Sequence, residues 1–133
     1  MPQPQGNSSA ESGRLGAELG TVLAQSNIAL GAGWGTTATV AIAAGSNDQA
    51  GVLTVTSSGT GQAQATANVT ITFADGAYAA APRGFIVVLL SSSNAVTEAQ
   101  PTNGAVSTTT ASWRHSVLPV AAATYKYSYA VIA

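Results

Sequence analysis

The chain has 133 residues, with four basic side chains against five acidic ones, a formal net charge of −1 and only 7% charged residues, where ordinary soluble domains carry about 25%. At roughly 100–200 residues per domain, this length holds one domain, with a core large enough to stand without staples. The absence of cysteine excludes disulfides, thiolate metal sites and cysteine nucleophiles. Four bases are too few to release the counterions behind nucleic-acid affinity, and the longest run of large apolar residues, Phe85 to Leu90, is far short of the roughly 18 that cross a bilayer.

Residues 1–9 combine Pro2 and Pro4 with Gln, Gly, Asn and Ser, a composition that cannot bury enough surface to offset its ordering entropy. An extended tail is expected, and it has neither the basic region nor the apolar core of a secretory signal. The spacing Ser8-x-x-Glu11 matches a capping box, and Leu15, Leu19, Val22 and Leu23 recur at helical spacing, which predicts a short helix with one apolar stripe. Gly13, Gly16 and Gly20 each cost such a helix about 1 kcal/mol relative to Ala, so it needs a partner surface. Residues 1–30 are therefore read as an N-terminal attachment segment, extended or partly helical, with that stripe as its contact face.

Beyond Gly31 the period drops to two, and Thr, Val, Ile and Tyr become the dominant large residues, as in strands. Thr39–Ile42, Val52–Thr56 and Asn68–Phe73 alternate, the last placing Val69, Ile71 and Phe73 on one face. Gly45–Gly51, Ser57–Gly61 and Asp75-Gly76 supply the turns between them. Phe85–Leu90 is apolar on both faces, the pattern of a central strand covered on each side or of a strand facing a partner subunit. A polar loop through Pro101 and Asn103-Gly104 follows, then a Thr-rich strand from Val106 to Trp113. The final segment puts Tyr125, Tyr127, Tyr129 and Val131 on one face. Short strands separated by Gly, Asn and Ser turns, with no helix between them, predict an all-β fold over residues 31–133: an antiparallel sandwich, jelly-roll-like.

Three motifs in order, Asn47-Asp48-x-Ala50-Gly51, Tyr78-Ala79-Ala80-Ala81-Pro82 and Thr124-Tyr125-Lys126-Tyr127-x-Tyr129-x-Val131-Ile132, resemble a domain of tailed-bacteriophage fibre and head-decoration proteins, over Gly31 to Ala133. The resemblance implies a β-sandwich on the virion exterior, a homotrimer joined to the major capsid protein or another virion protein through its N-terminal segment, and assembly in the host cytoplasm. A long tail fibre would carry an extended shaft where about 30 residues precede the sandwich here, so for a chain that is a complete product a capsid-decoration or head-fibre subunit is the expectation. The rival reading is the receptor-binding tip of a tail fibre that recognises a host-surface glycan.

Chemistry-bearing residues are sparse. His115 is the single histidine, and a Ser-His-Asp triad with Asp48 or Asp75 is formally available. No Gly-x-Ser-x-Gly elbow surrounds any serine, and Glu11, Glu18 and Glu98 do not pair, so no catalytic residue is nominated. Asn47-Asp48 lacks the neighbouring carboxylates that calcium needs and reads as a turn. Gly31-x-Gly33-x-Gly35 around Trp34 lacks the Lys and context of a nucleotide loop and reads as a link. No metal or cofactor is expected. Ile86, Val88, Leu90, Tyr125, Tyr127 and Tyr129 are the candidates for core or oligomer interface, and the tyrosine row reads as buried in preference to a sugar-stacking platform. Trp113, Asn94 and Asn103 are the candidate glycan contacts.

Overall fold

Alternation of large apolar and small polar residues builds eight strands in this computed structural model, which describes residues 21–94 and 100–133. In chain order they are β1 (Ile28–Leu30), β2 (Thr39–Ile42), β3 (Ala50–Thr56), β4 (Asn68–Thr72), β5 (Gly84–Ser92), β6 (Thr102–Val106), β7 (Thr110–Arg114) and β8 (Thr124–Ile132). They form two four-stranded antiparallel sheets, ordered β1-β4-β7-β6 and β2-β3-β8-β5. The fold is an all-β sandwich, as the periodicity predicts. Helical structure among the described residues is limited to single 3-10 turns at Gln25–Asn27, Ala32–Trp34 and Gln64–Thr66.

The inward rows follow the period-two pattern. Leu53 and Val55 of β3 and Tyr125, Tyr127, Tyr129 and Val131 of β8 face Val69 and Ile71 of β4 and Ala111 and Trp113 of β7, all buried. The tyrosine row is thus core, because that face of β8 is covered by the β1-β4-β7-β6 sheet.

Four details depart from the sequence reading. First, Phe85–Leu90 lies in β5, which is an edge strand and not a central one. Its inner side chain Leu89 is buried, while Ile86, Val88 and Leu90 are 54%, 39% and 53% exposed. Apolarity on both faces reports what each face prefers and carries no information about lateral neighbours. Second, the stretch from Val106 to Trp113 is two strands: the Ser107 hydroxyl accepts the amides of Thr109 (3.1 Å) and Thr110 (3.0 Å), folding a tight turn that joins β6 to β7. Third, Asn103-Gly104 lies inside β6, where Asn103 takes a positive φ of 55° at a break in register. Fourth, the sandwich takes up the chain before Gly31. Val22 bridges Asn47 in extended conformation, the Leu23 amide donates to the Ser46 carbonyl (2.8 Å), Leu23 is buried, and β1 pairs with β4. Val22 and Leu23 are therefore not one helical stripe: Leu23 belongs to the core and Val22 points outward. Ser8, Glu11, Leu15 and Leu19 lie outside the described residues.

The strands give the molecule two distinct ends. At one, here the base, Thr21 enters, β8 finishes, and the Ala43–Gly51 and Phe73–Arg83 connections meet. At the other, the tip, lie Gly31–Trp34, Ser57–Ala67 and His115–Ala123, interlinked by Ala63 N–H to Gly33 carbonyl (3.0 Å), Ser58 N–H to Trp34 carbonyl (2.9 Å) and Ala122 N–H to Ser58 carbonyl (2.9 Å). Gly33 is glycine because the backbone there is crossed closely: a Cβ would sit 2.0 Å from the Ala63 carbonyl oxygen. The glycine-rich link is thus a close-packed plug that drives Trp34 between the sheets.

Candidate functional site

Among the described residues, three places outside the strand core bear on function: the tip, the base and the outer face of β5. At the tip, His115 follows β7 and its ring is fully enclosed. Ring centroids of Tyr125 and Trp34 lie 4.4 and 5.3 Å away, and Nδ1 shares a 2.6 Å hydrogen bond with the Tyr127 hydroxyl. Burial lowers the imidazole to about 4, so it is neutral at physiological pH. The same burial raises the Tyr127 hydroxyl above the usual phenol range, which keeps that partner protonated. Nε2 has no hydrogen-bond partner among the described residues, so neither a serine nor a carboxylate completes a triad on this histidine. The arrangement is an apolar, aromatic lock around one neutral polar ring.

Trp113, a candidate glycan contact, is 1% exposed. Its ring packs between Phe85 (5.8 Å), Tyr127 (5.5 Å) and Tyr129 (6.4 Å), and no sugar reaches it: its inward position on a central strand settles the choice for core. Of the other two, Asn94 is half-buried beyond the tip end of β5, and Asn103 is exposed on the edge strand β6. With Trp113 in the core, the three residues form no common surface.

At the base, Asn47 and Asp48 perform turn chemistry. The Asn47 Oδ1 accepts the amides of Gln49 (2.9 Å) and Ala50 (3.1 Å), and the Asp48 carboxylate accepts those of Ala74 (2.6 Å) and Asp75 (2.9 Å). With its oxygens committed to backbone, Asp48 is a brace, and the described residues contain no cluster of three or more His, Cys, Asp or Glu that would hold a metal. Asp75 in turn accepts the Thr21 amide (3.0 Å) and hydroxyl, which holds its carboxyl below the usual range. The Tyr129 hydroxyl donates to the Asn47 carbonyl. The entry of the chain is thus pinned through Asp75 to Asp48 and from there to the loop that β8 closes. Nothing in the sequence pattern pairs residues so far apart.

Asp48→Ala strips two amides of their shared acceptor and is expected to lower unfolding free energy by about 2 kcal/mol, read from urea unfolding. Thr39→Ala on the exposed end of β2 is the comparison and should change it little.

The third place is the outer face of β5, where Ile86, Val88 and Leu90 stand in a row. Among the described residues, it is the candidate set that is both contiguous and accessible. Comparison with known proteins finds no family model that matches the chain, no similar curated protein and no matching solved structure.

Proposed function

We propose that this chain is a structural protein of a bacteriophage virion: a capsid-decoration or head-fibre subunit, homotrimeric, that attaches through its N-terminal segment and exposes its sandwich. The observation that carries this reading is the polarity of the molecule. The chain enters at a braced base, where Asp75 and Asn47 hold Thr21 and Val22, while the loops of the tip gather at the opposite end. A body oriented in this way stands away from whatever its N-terminal segment binds. The near-neutral charge of −1 supports dense assembly, since copies do not repel one another strongly. The accessible row on β5 supplies apolar contact area.

The same polarity serves the rival reading, in which the tip loops beside Asn94 meet a host-surface glycan. Without Trp113 that reading lacks its aromatic platform, so the decoration reading is preferred.

Antibody labelling of intact particles tests the proposal. Label on the head exterior is expected, and it should disappear when Leu15 and Leu19 are both replaced by Asp in the full chain while the melting temperature stays unchanged. Label confined to tail tips would move the chain to the rival reading, and no label on any particle would remove both.

A further inference from the structure

We propose that the outer face of the β2-β3-β8-β5 sheet is where copies of this chain bind one another, the Ile86-Val88-Leu90 ridge of one copy seating in a trough of small residues on the next. The inference rests on the reading of the chain as an assembling protein and names the surface that such assembly uses.

Ridge and trough lie side by side by register. Ile86 is opposite Ala130, which is opposite Ala50, while Val88 is opposite Ser128, which is opposite Val52. Side chains at these positions point away from the core, since Leu53, Tyr127, Tyr129 and Leu89 take the inward places. Large apolar side chains thus flank a floor of alanine and serine. A ridge on one copy finds on the next a depression of matching chemistry, a head-to-tail contact between two different patches of the kind that closes into a ring of three.

Charge singles out a second copy as the occupant. Across the four strands of this sheet the single charged residue is Lys126, opposite Thr54 and Ser91 toward the tip. A strongly charged partner finds nothing to pair with, whereas identical copies meet with almost no repulsion. Strand spacings give the face a projected area of roughly 500 Å², of the same order as the roughly 800 Å² per partner of a standard interface.

Contact through the face, and not through the open edge of β5, follows from two features of that edge. The Leu89 amide is already taken by Gln100 Oε1 at 2.9 Å, and the register with β8 breaks between Leu89 and Ser91. A side-chain cap and a bulge are devices that block lateral strand addition, and they leave the ridge itself bare.

Light scattering after size exclusion tests the proposal at micromolar concentration. The wild-type chain is expected to run as an oligomer, Val88→Lys and Ala130→Leu to weaken association at least tenfold, and Thr72→Lys on the opposite sheet to leave it intact. A monomeric wild type, or oligomers that survive both face variants, would overturn the inference, as would equal dissociation by Thr72→Lys. Because the chain has no cysteine, cross-linking is free of background and guards against misfolded variants. Chains carrying Val88→Cys mixed with chains carrying Ser128→Cys should form a mixed disulfide between copies on oxidation, and failure to do so counts against the contact. Particles that stay unlabelled while copies still cross-link would remove the virion reading and keep this interface.

Discussion

Trp34→Ala is expected to lower the unfolding free energy by about 3–5 kcal/mol, a large share of the roughly 5–15 kcal/mol that holds a typical domain together. The indole is wholly buried, packs against His115 and Tyr125 (5.3 and 5.6 Å between centroids), and donates Nε1–H to the Asn68 carbonyl at 3.0 Å. Its removal leaves a void at the tip that glycine-constrained backbone cannot collapse to fill, since Gly31 and Gly33 are already in close approach to residues 63–68. A melting temperature lowered by roughly 10–20 °C is the corresponding observable. Trp34→Phe keeps most of the packing and loses the hydrogen bond, so it should cost about half as much or less. A Trp34→Ala protein within 1 kcal/mol of wild type would show that the plug does not hold the sheets together.

The second large effect is with acid. Free imidazole takes up a proton near 6.5, but His115 in the folded chain resists until about 4 because burial disfavours its charged form. Between these values the unfolded chain holds more protons than the folded one, so stability falls as pH falls. The contribution is whole above about 6.5, erodes through the window and levels off below about 4. The span corresponds to roughly 3 kcal/mol. Of the groups packed on the ring, Tyr125 and Tyr127 are titratable, and Trp34 carries no charge. Below the window, loss of the Asp75 charge should weaken the hold on Thr21, whose bonds keep that carboxyl low. Urea unfolding at a series of pH values checks this. His115→Gln should flatten the slope between pH 6.5 and 4 whatever it does to absolute stability, and an unchanged slope would assign the acid sensitivity elsewhere.

Strands were legible in this sequence where a period of two ran uninterrupted against a one-sided core, as in Asn68–Phe73 and Thr124–Ile132. Where one cue carried two meanings, the pattern misled. Phe85–Leu90 showed that both faces avoid water, yet only the fold reveals that one face is left bare and that β8, last in the chain, takes the central place. Val106–Trp113 hid its turn because threonine suits strands and turns alike, and the deciding bond comes from the Ser107 hydroxyl. Ile28–Leu30 was too short to compete with the leucine spacing before it. For the candidate surface, Ile86, Val88 and Leu90 were visible as a row, but the trough beside them was not: alanine and serine carry no signal until register brings Ala50, Ala130 and Ser128 together. Trp34 and Trp113 illustrate the same limit, since burial of an aromatic depends on what crosses above it. His115, the single histidine and only formally available for a triad, is turned by its neighbours into packing, with Nδ1 on the Tyr127 hydroxyl.

The pinning of Thr21 also fixes how the molecule answers to mechanical load. A pull on the N-terminal segment away from the base meets the Asp75 clasp first, then the Val22–Asn47 bridge, and then β1, which runs from base to tip alongside β4. Tension therefore acts along the strand axis, so the hydrogen bonds of Ile28–Leu30 to Val69–Ile71 are loaded in shear, sharing the force, and are not unzipped one at a time. A short edge strand, the weakest element of the sheet under a sideways pull, thus resists better when drawn lengthwise.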